Sequence, residues 1–130
     1  MAETAAPQVA PDERLVRVGP LARLLTRPDI GAFLGLDPDV TIPCIPSCPS
    51  GTKIGTFDVG GAIKEIQQGK MLFAIDQQQY LQGYLPVVFA VLYVTNLNTV
   101  GNGAPVLTGP GIINKANAAK VASLAAKGTR

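Results

Sequence analysis

Residues 53–79, KIGTFDVGGAIKEIQQGKMLFAIDQQQ, decide how this chain is read. KIGTFD (53–58) carries a β-branched residue and an aromatic one and is closed by Gly60-Gly61, which predicts a short strand. AIKEIQQ (62–68) sets Ile63 and Ile66 three apart on one helical face, and Gly69 follows as a stop. MLFAID (71–76) is a continuous apolar run, the pattern of a strand buried on both faces of its sheet. Strand, helix and strand in that order predict parallel pairing through right-handed crossovers.

Toward the C-terminus, residues 79–96 predict one long helix. Tyr80, Tyr84, Val87, Val88, Val91, Leu92 and Thr95 form one stripe, and Leu81, Leu85 and Phe89 cover most of the rest. A helix apolar nearly all round packs inside a larger protein. Pro86 falls in its first turns, where a missing N–H costs less than at mid-helix. NTVGNGAP (98–105) reads as a turn, and VLTG (106–109) as a short strand broken by Pro110-Gly111. NAAKVASLAAK (117–127) predicts a helix with Asn117 as N-cap and Gly128 at its end. The fold class is α/β, with parallel strands and helices over residues 53–130.

Two unlike pieces precede it. In residues 1–36, Met1–Pro11 is rich in Ala and Pro and is expected to be disordered. The basic residues that follow are all arginine (Arg14, Arg17, Arg23, Arg27), whereas from Cys44 to Gly128 all are lysine, a shift that marks a boundary. Leu21, Leu24 and Leu25 share a helical face with Arg23 and Arg27 off it. That is either a solvated amphipathic turn or a basic juxtamembrane helix. The apolar run IGAFLGL (30–36) stops at Asp37, short of the roughly 20 residues a span requires. Residues 37–52 hold Pro38, Pro43, Pro46 and Pro49, which is the composition of an extended linker without regular structure.

Composition excludes several classes of function. The chain has 130 residues, enough for one small domain, with 47% apolar residues. Eleven basic and nine acidic residues give a net charge of +2, too weak a footprint for a nucleic-acid binder. No histidine is present, which removes the commonest general base and the commonest metal ligand. Cys44 and Cys48 are spaced C-x3-C, matching neither a four-ligand zinc site nor a C-x-x-C redox pair. They read as incidental loop cysteines, and a local disulfide requires an oxidising compartment. The P-loop, G-x-G-x-x-G and G-x-S-x-G motifs are all absent. No enzymatic activity, metal or cofactor is expected. Met1–Ala10 carries Glu3, no positive charge and no following apolar core, so no secretory signal is visible, which read alone points to the cytoplasm.

What remains is a polar constellation. Asp58 and Asp76 close the two clearest strands, at the sheet edge where parallel α/β proteins bind ligands, and Gln77, Gln78 and Gln79 follow. A carboxylate accepts from a hydroxyl and an amide both donates and accepts, so the set suits a neutral polyol. The same residue types equally serve turns and caps, and Asp58 is placed to cap the helix that begins near Gly60. A paired-carboxylate hydrolase is conceivable from Asp58 and Asp76, but nothing in the spacing demands it.

At GTFD (55–58), AIDQQ (74–78), YLQGYLPV (80–87) and TGPGII (108–113) the chain resembles the C-terminal part of periplasmic sugar-binding proteins of ABC importers, the ribose-binding-like group. The resemblance runs from about Lys53 to Leu124 and corresponds to about the last quarter of a complete member. It implies part of a fold in which two α/β lobes close over a sugar about a hinge. It implies that Asp58 is the binding-site aspartate and Gln77 the ligand-contacting glutamine beside the hinge, with Asp76 as a second candidate. Strand neighbours face opposite ways, so Asp76 and Gln77 are not both expected to face the ligand. Gln79 stands where the family often has proline. Residues 13–36, ERLVRVGPLARLLTRPDIGAFLGL, resemble the cytoplasmic start of the permease subunit of such an importer, just before its first transmembrane helix.

Together these resemblances imply a chain that joins two importer components. Its ligand would be a monosaccharide or related polyol, its partner an ABC permease subunit, and its location the periplasm. Residues 79–96 would belong to the lobe that is missing, leaving an apolar patch, an open sheet edge and a tendency to self-associate. The alternatives are a membrane-associated permease remnant and a non-functional fusion fragment. The sensing domain of a transcription regulator shares the fold, but the Ala/Pro-rich start offers no recognition helix.

Overall fold

A computed structural model describes residues 19–130. The disorder expected over Met1–Pro11 lies outside the described residues. In chain order the elements are α1 (19–25), β1 (Ala32–Gly35), α2 (Pro38–Cys44), a 3-10 turn (Ile45–Ser47), β2 (Lys53–Phe57), α3 (Ala62–Gln67), β3 (Phe73–Asp76), α4 (Gln79–Asn96), a 3-10 turn (Gly101–Gly103), β4 (Gly111–Asn114) and α5 (Ala118–Ala126).

The strands form one sheet in the order β1-β2-β3-β4. β1 runs parallel to β2 with Ala32 opposite Lys53 and Gly35 opposite Thr56. β2 runs parallel to β3 with Gly55 opposite Phe73. β4 runs antiparallel to β3, with Asp76 opposite Gly111 and Phe73 opposite Asn114.

The region before Lys53 departs from expectation. Ala32–Gly35, expected to lead toward a transmembrane helix, is instead the edge strand of this sheet. Among the described residues no helix is long and apolar enough to cross a membrane. The expected linker at 37–52 contains a helix. Asp37 is its N-cap, its carboxylate accepting from Asp39 N at 2.6 Å, and Pro38 sits in the first turn, where its missing N–H has no helical partner to lose. Pro46 opens the following 3-10 turn in the same way. Pro38 and Pro46 therefore sit at the starts of short helices, whereas Pro43 is carried inside α2. Gly35 makes this packing possible, because a β-carbon there would overlap the Thr41 hydroxyl of α2.

The second departure lies at 106–114. VLTG is not a strand; the strand is GIIN, after Gly109-Pro110, and its antiparallel direction breaks the expected parallel order. The excursion through α4 and the following loop returns the chain to the end of the sheet from which it left. Asp76 leaves β3 there and Gly111 enters β4 directly opposite.

The core forms on one face of the sheet. Ile54, Ala74 and Ile113 point from neighbouring strands onto Ile63 and Ile66 of α3 and Ala118 of α5. A smaller cluster joins Leu25 of α1 to Cys44 of α2 and the flanking Phe33. Leu21 supports it, whereas Leu24 is exposed. The opposite face carries Leu34 and Ile112, both about half exposed (50% and 48%), so β3 is covered on one side only among the described residues. α4 has no buried residue, and Tyr84, Val87, Val91 and Val94 of its apolar surface stand exposed.

Candidate functional site

Three parallel strands bring their C-terminal ends to one edge of the sheet, and each hands over to a polar residue there. β1 is followed by Asp37, β2 by Asp58, and β3 ends at Asp76 with Gln77 and Gln78 beyond. A cleft of about 430 Å³ opens at this edge, lined among others by Asp37, Asp39, Asp58, Gln79, Tyr80 and Arg130.

Asp58 reaches the cleft through an unusual backbone. Its φ is 66°, in the left-handed region that aspartate tolerates better than most residues, and its N–H donates to Ile75 O at 2.8 Å. Its side chain caps no helix, since α3 begins after Gly61 without a side-chain cap. Instead Asp58 Oδ1 accepts from Gln77 Nε2 at 2.7 Å. Gln77 does not line the cleft; it braces Asp58 from behind. The carbonyl of Gln77 accepts from the Thr108 hydroxyl at 3.2 Å and from Gln82 Nε2 at 3.0 Å, which fixes the turn between β3 and α4.

Asp76 is placed differently from the candidate ligand contact. It has no exposed surface. Its Oδ1 accepts from Gln78 N and its Oδ2 from Arg130 Nε, both at 2.7 Å. The turn-forming role left open for this residue is the one observed, with an ion pair added. The structure thus brings Asp58 and Gln77 together and buries Asp76 beneath Arg130, a residue of the cleft wall.

Sequence reading missed Asp37, Asp39, Tyr80 and Arg130. For the first two a signal existed: Asp-Pro after an apolar run marks a helix start. Arg130 meets Asp76 from 54 residues away and carries no local signal. Tyr80 stacks on Tyr84 with ring centroids 5.8 Å apart and leaves 46% of its surface exposed beside the cleft.

Cys44 and Cys48 are free thiols that do not line this cleft. Burial pushes the Cys44 thiol up from its ordinary value, with its neighbour Cys48 adding to the effect, and burial raises Cys48 as well. Among the described residues no group of His, Cys, Asp and Glu side chains is arranged to hold a metal ion.

The fold has counterparts among solved structures. A carbohydrate transporter from Acidothermus cellulolyticus 11B, in complex with myo-inositol, superposes with a TM-score of 0.76 at 36% identity, over 92% of this chain and 42% of its own. This chain has the fold of a partial periplasmic sugar-binding-protein lobe. A Caulobacter myo-inositol binding protein bound to myo-inositol has the same fold, with a TM-score of 0.68 at 18% identity over 89% of this chain and 40% of its own. No family model matches the chain, and no curated protein matches it. The lobe spans about two-fifths of the length of the solved structures it matches. Coverage of 92% leaves too few residues unmatched for the likeness to begin at Lys53. Of residues 13–36, likened to the start of a permease, the described part supplies β1 to this same sheet, and the stretch read as a linker (37–52) supplies α2.

Proposed function

We propose that this lobe supplies one wall of a binding site for a cyclic polyol or monosaccharide, as the substrate-binding component of a sugar import system. The observation that carries the reading is Asp58, held at the end of a parallel strand by Gln77 in an open cleft. The carbohydrate-bound state of a 36%-identical protein of the same fold supports it.

The chemistry follows from the donors and acceptors. Asp58 Oδ1 is engaged by Gln77, so Oδ2 is free to accept from a hydroxyl. Asp37 is similarly half-engaged, by Asp39 N. Tyr80 offers an aromatic face to the C–H side of a sugar ring. These are donors and acceptors of the kind that hold hydroxyl groups, and the role proposed for them is binding.

A single wall surrenders most of the contacts that a closed site would make, so the isolated lobe binds weakly, with Kd of about a millimolar. The rest of such a protein would complete the site. By the same reading the partner is the permease subunit of an ABC importer and the working location is the periplasm. Titration calorimetry with myo-inositol and a panel of pentoses and hexoses tests the proposal. Heat that saturates for one polyol and disappears in Asp58→Ala supports it. No saturable heat for any of them would leave a chain with the ancestry of a binding protein and no binding.

A further inference from the structure

We propose that the buried Asp76–Arg130 pair is the clamp that positions this cleft, with Arg130 forming part of its wall. A carboxylate withdrawn from water must have its oxygens matched, and both oxygens of Asp76 are matched by specific partners. Oδ1 holds the backbone N–H of Gln78, which sits in the left-handed region at φ 59°. That residue directly follows Gln77. Fixing Gln78 sets the path of the turn, and with it the side chain of Gln77 against Asp58.

Oδ2 holds Arg130. The arginine side chain is one-third exposed and borders the cleft beside Asp37 and Asp58. Its Nη2 lies over Gly111, the β4 residue paired with Asp76, so closely that a β-carbon at Gly111 would stand 3.2 Å from it. With Nε committed to Asp76, the guanidinium plane is fixed, and Arg130, which lines the cleft, keeps further N–H donors beyond that bond. The carboxylates of the cleft can only accept, and Arg130 can only donate. A hydroxyl group does both, so a polyol finds acceptors on one side and a held donor on the other. This effect on affinity rests on the polyol reading; the positioning of Gln77 does not.

The test is nuclear magnetic resonance on the full, isotope-labelled chain, paired with calorimetry. In the wild type the Arg130 Nε–H, bonded to a buried carboxylate, is expected to exchange slowly with solvent. Asp76→Asn is expected to remove that protection and move the Gln77 side-chain amide resonance, leaving the backbone amides of β2 and α3 in place. Arg130→Ala should move the same Gln77 resonance, and Arg130→Lys should restore part of it. If Asp76→Asn fails to fold, the two Arg130 variants carry the same readout from a partly exposed site. A Gln77 resonance that stays put while Arg130 loses its protection overturns the clamp. In calorimetry, Arg130→Ala should weaken myo-inositol binding about tenfold, as loss of a hydrogen bond from a charged donor does. If the wild type takes up neither myo-inositol nor any pentose or hexose of the panel, the polyol reading fails, and the Gln77 resonance alone still decides the clamp.

Discussion

The side-chain amide of Gln77 donates to the carboxylate of Asp58 over 2.7 Å, joining the residues that follow two neighbouring parallel strands. The bond fixes a carboxylate whose own backbone is left-handed and would otherwise be free to turn toward solvent. Gln77→Leu should therefore loosen the cleft while leaving the hydrophobic core intact. A half-buried hydrogen bond to a charged group is worth about 1–2 kcal/mol, and a urea melt should show a loss of that order with an unchanged m-value. An unchanged midpoint would mean that the bond contributes nothing to holding Asp58.

Gly35→Ala should destabilise the lobe by about 1–3 kcal/mol, because the added methyl has to displace Thr41. Thr41 cannot yield easily: its hydroxyl is buried and engages Asp37 O at 2.6 Å and the Thr56 hydroxyl at 3.0 Å. Chemical denaturation of the variant measures the cost, and a neutral result would show that α2 floats on the sheet.

Tyr80, Tyr84, Val87, Val91 and Val94 alternate four and three apart along α4 and are all exposed, which makes a continuous stripe. An exposed apolar stripe of this kind drives association. Sedimentation of the isolated chain should show species larger than the monomer, and Val87→Lys combined with Val91→Lys should return it to monomer. Monomeric behaviour of the wild type at high concentration would remove this expectation.

The two thiols give an alkaline limit to stability. Burial raises Cys44 and Cys48 above the ordinary value of 9.0, so the folded state favours the neutral thiol. A group raised in the folded state contributes its full stability below the unfolded value and loses it as pH climbs through the folded one. Melting temperature should hold up to about pH 9 and fall above it, and Cys48→Ser should soften the fall. Cys44 has no exposed surface, so a thiol reagent should modify Cys48 first. Equal reactivity of both would show that α2 opens readily.

What the chain says about itself locally was legible. KIGTF, AIKEIQ and residues 79–96 form the expected strand, helix and long helix, because alternation, threefold spacing and glycine stops act within a few residues of where they are written. The position of Asp58 at a strand end followed from the same local pattern. Tertiary structure alone decided the rest. AFLG is four apolar residues, too short for any period to distinguish an edge strand from the start of a span, and only pairing with β2 settles it. The direction of β4 depends on where the excursion through α4 returns, which no residue in GIIN encodes. Asp76 and Gln77 look alike as polar neighbours at a strand end, yet one turns inward and the other braces the site. The difference is Arg130, a partner 54 residues away, and burying a carboxylate becomes tolerable only once such a partner is in place.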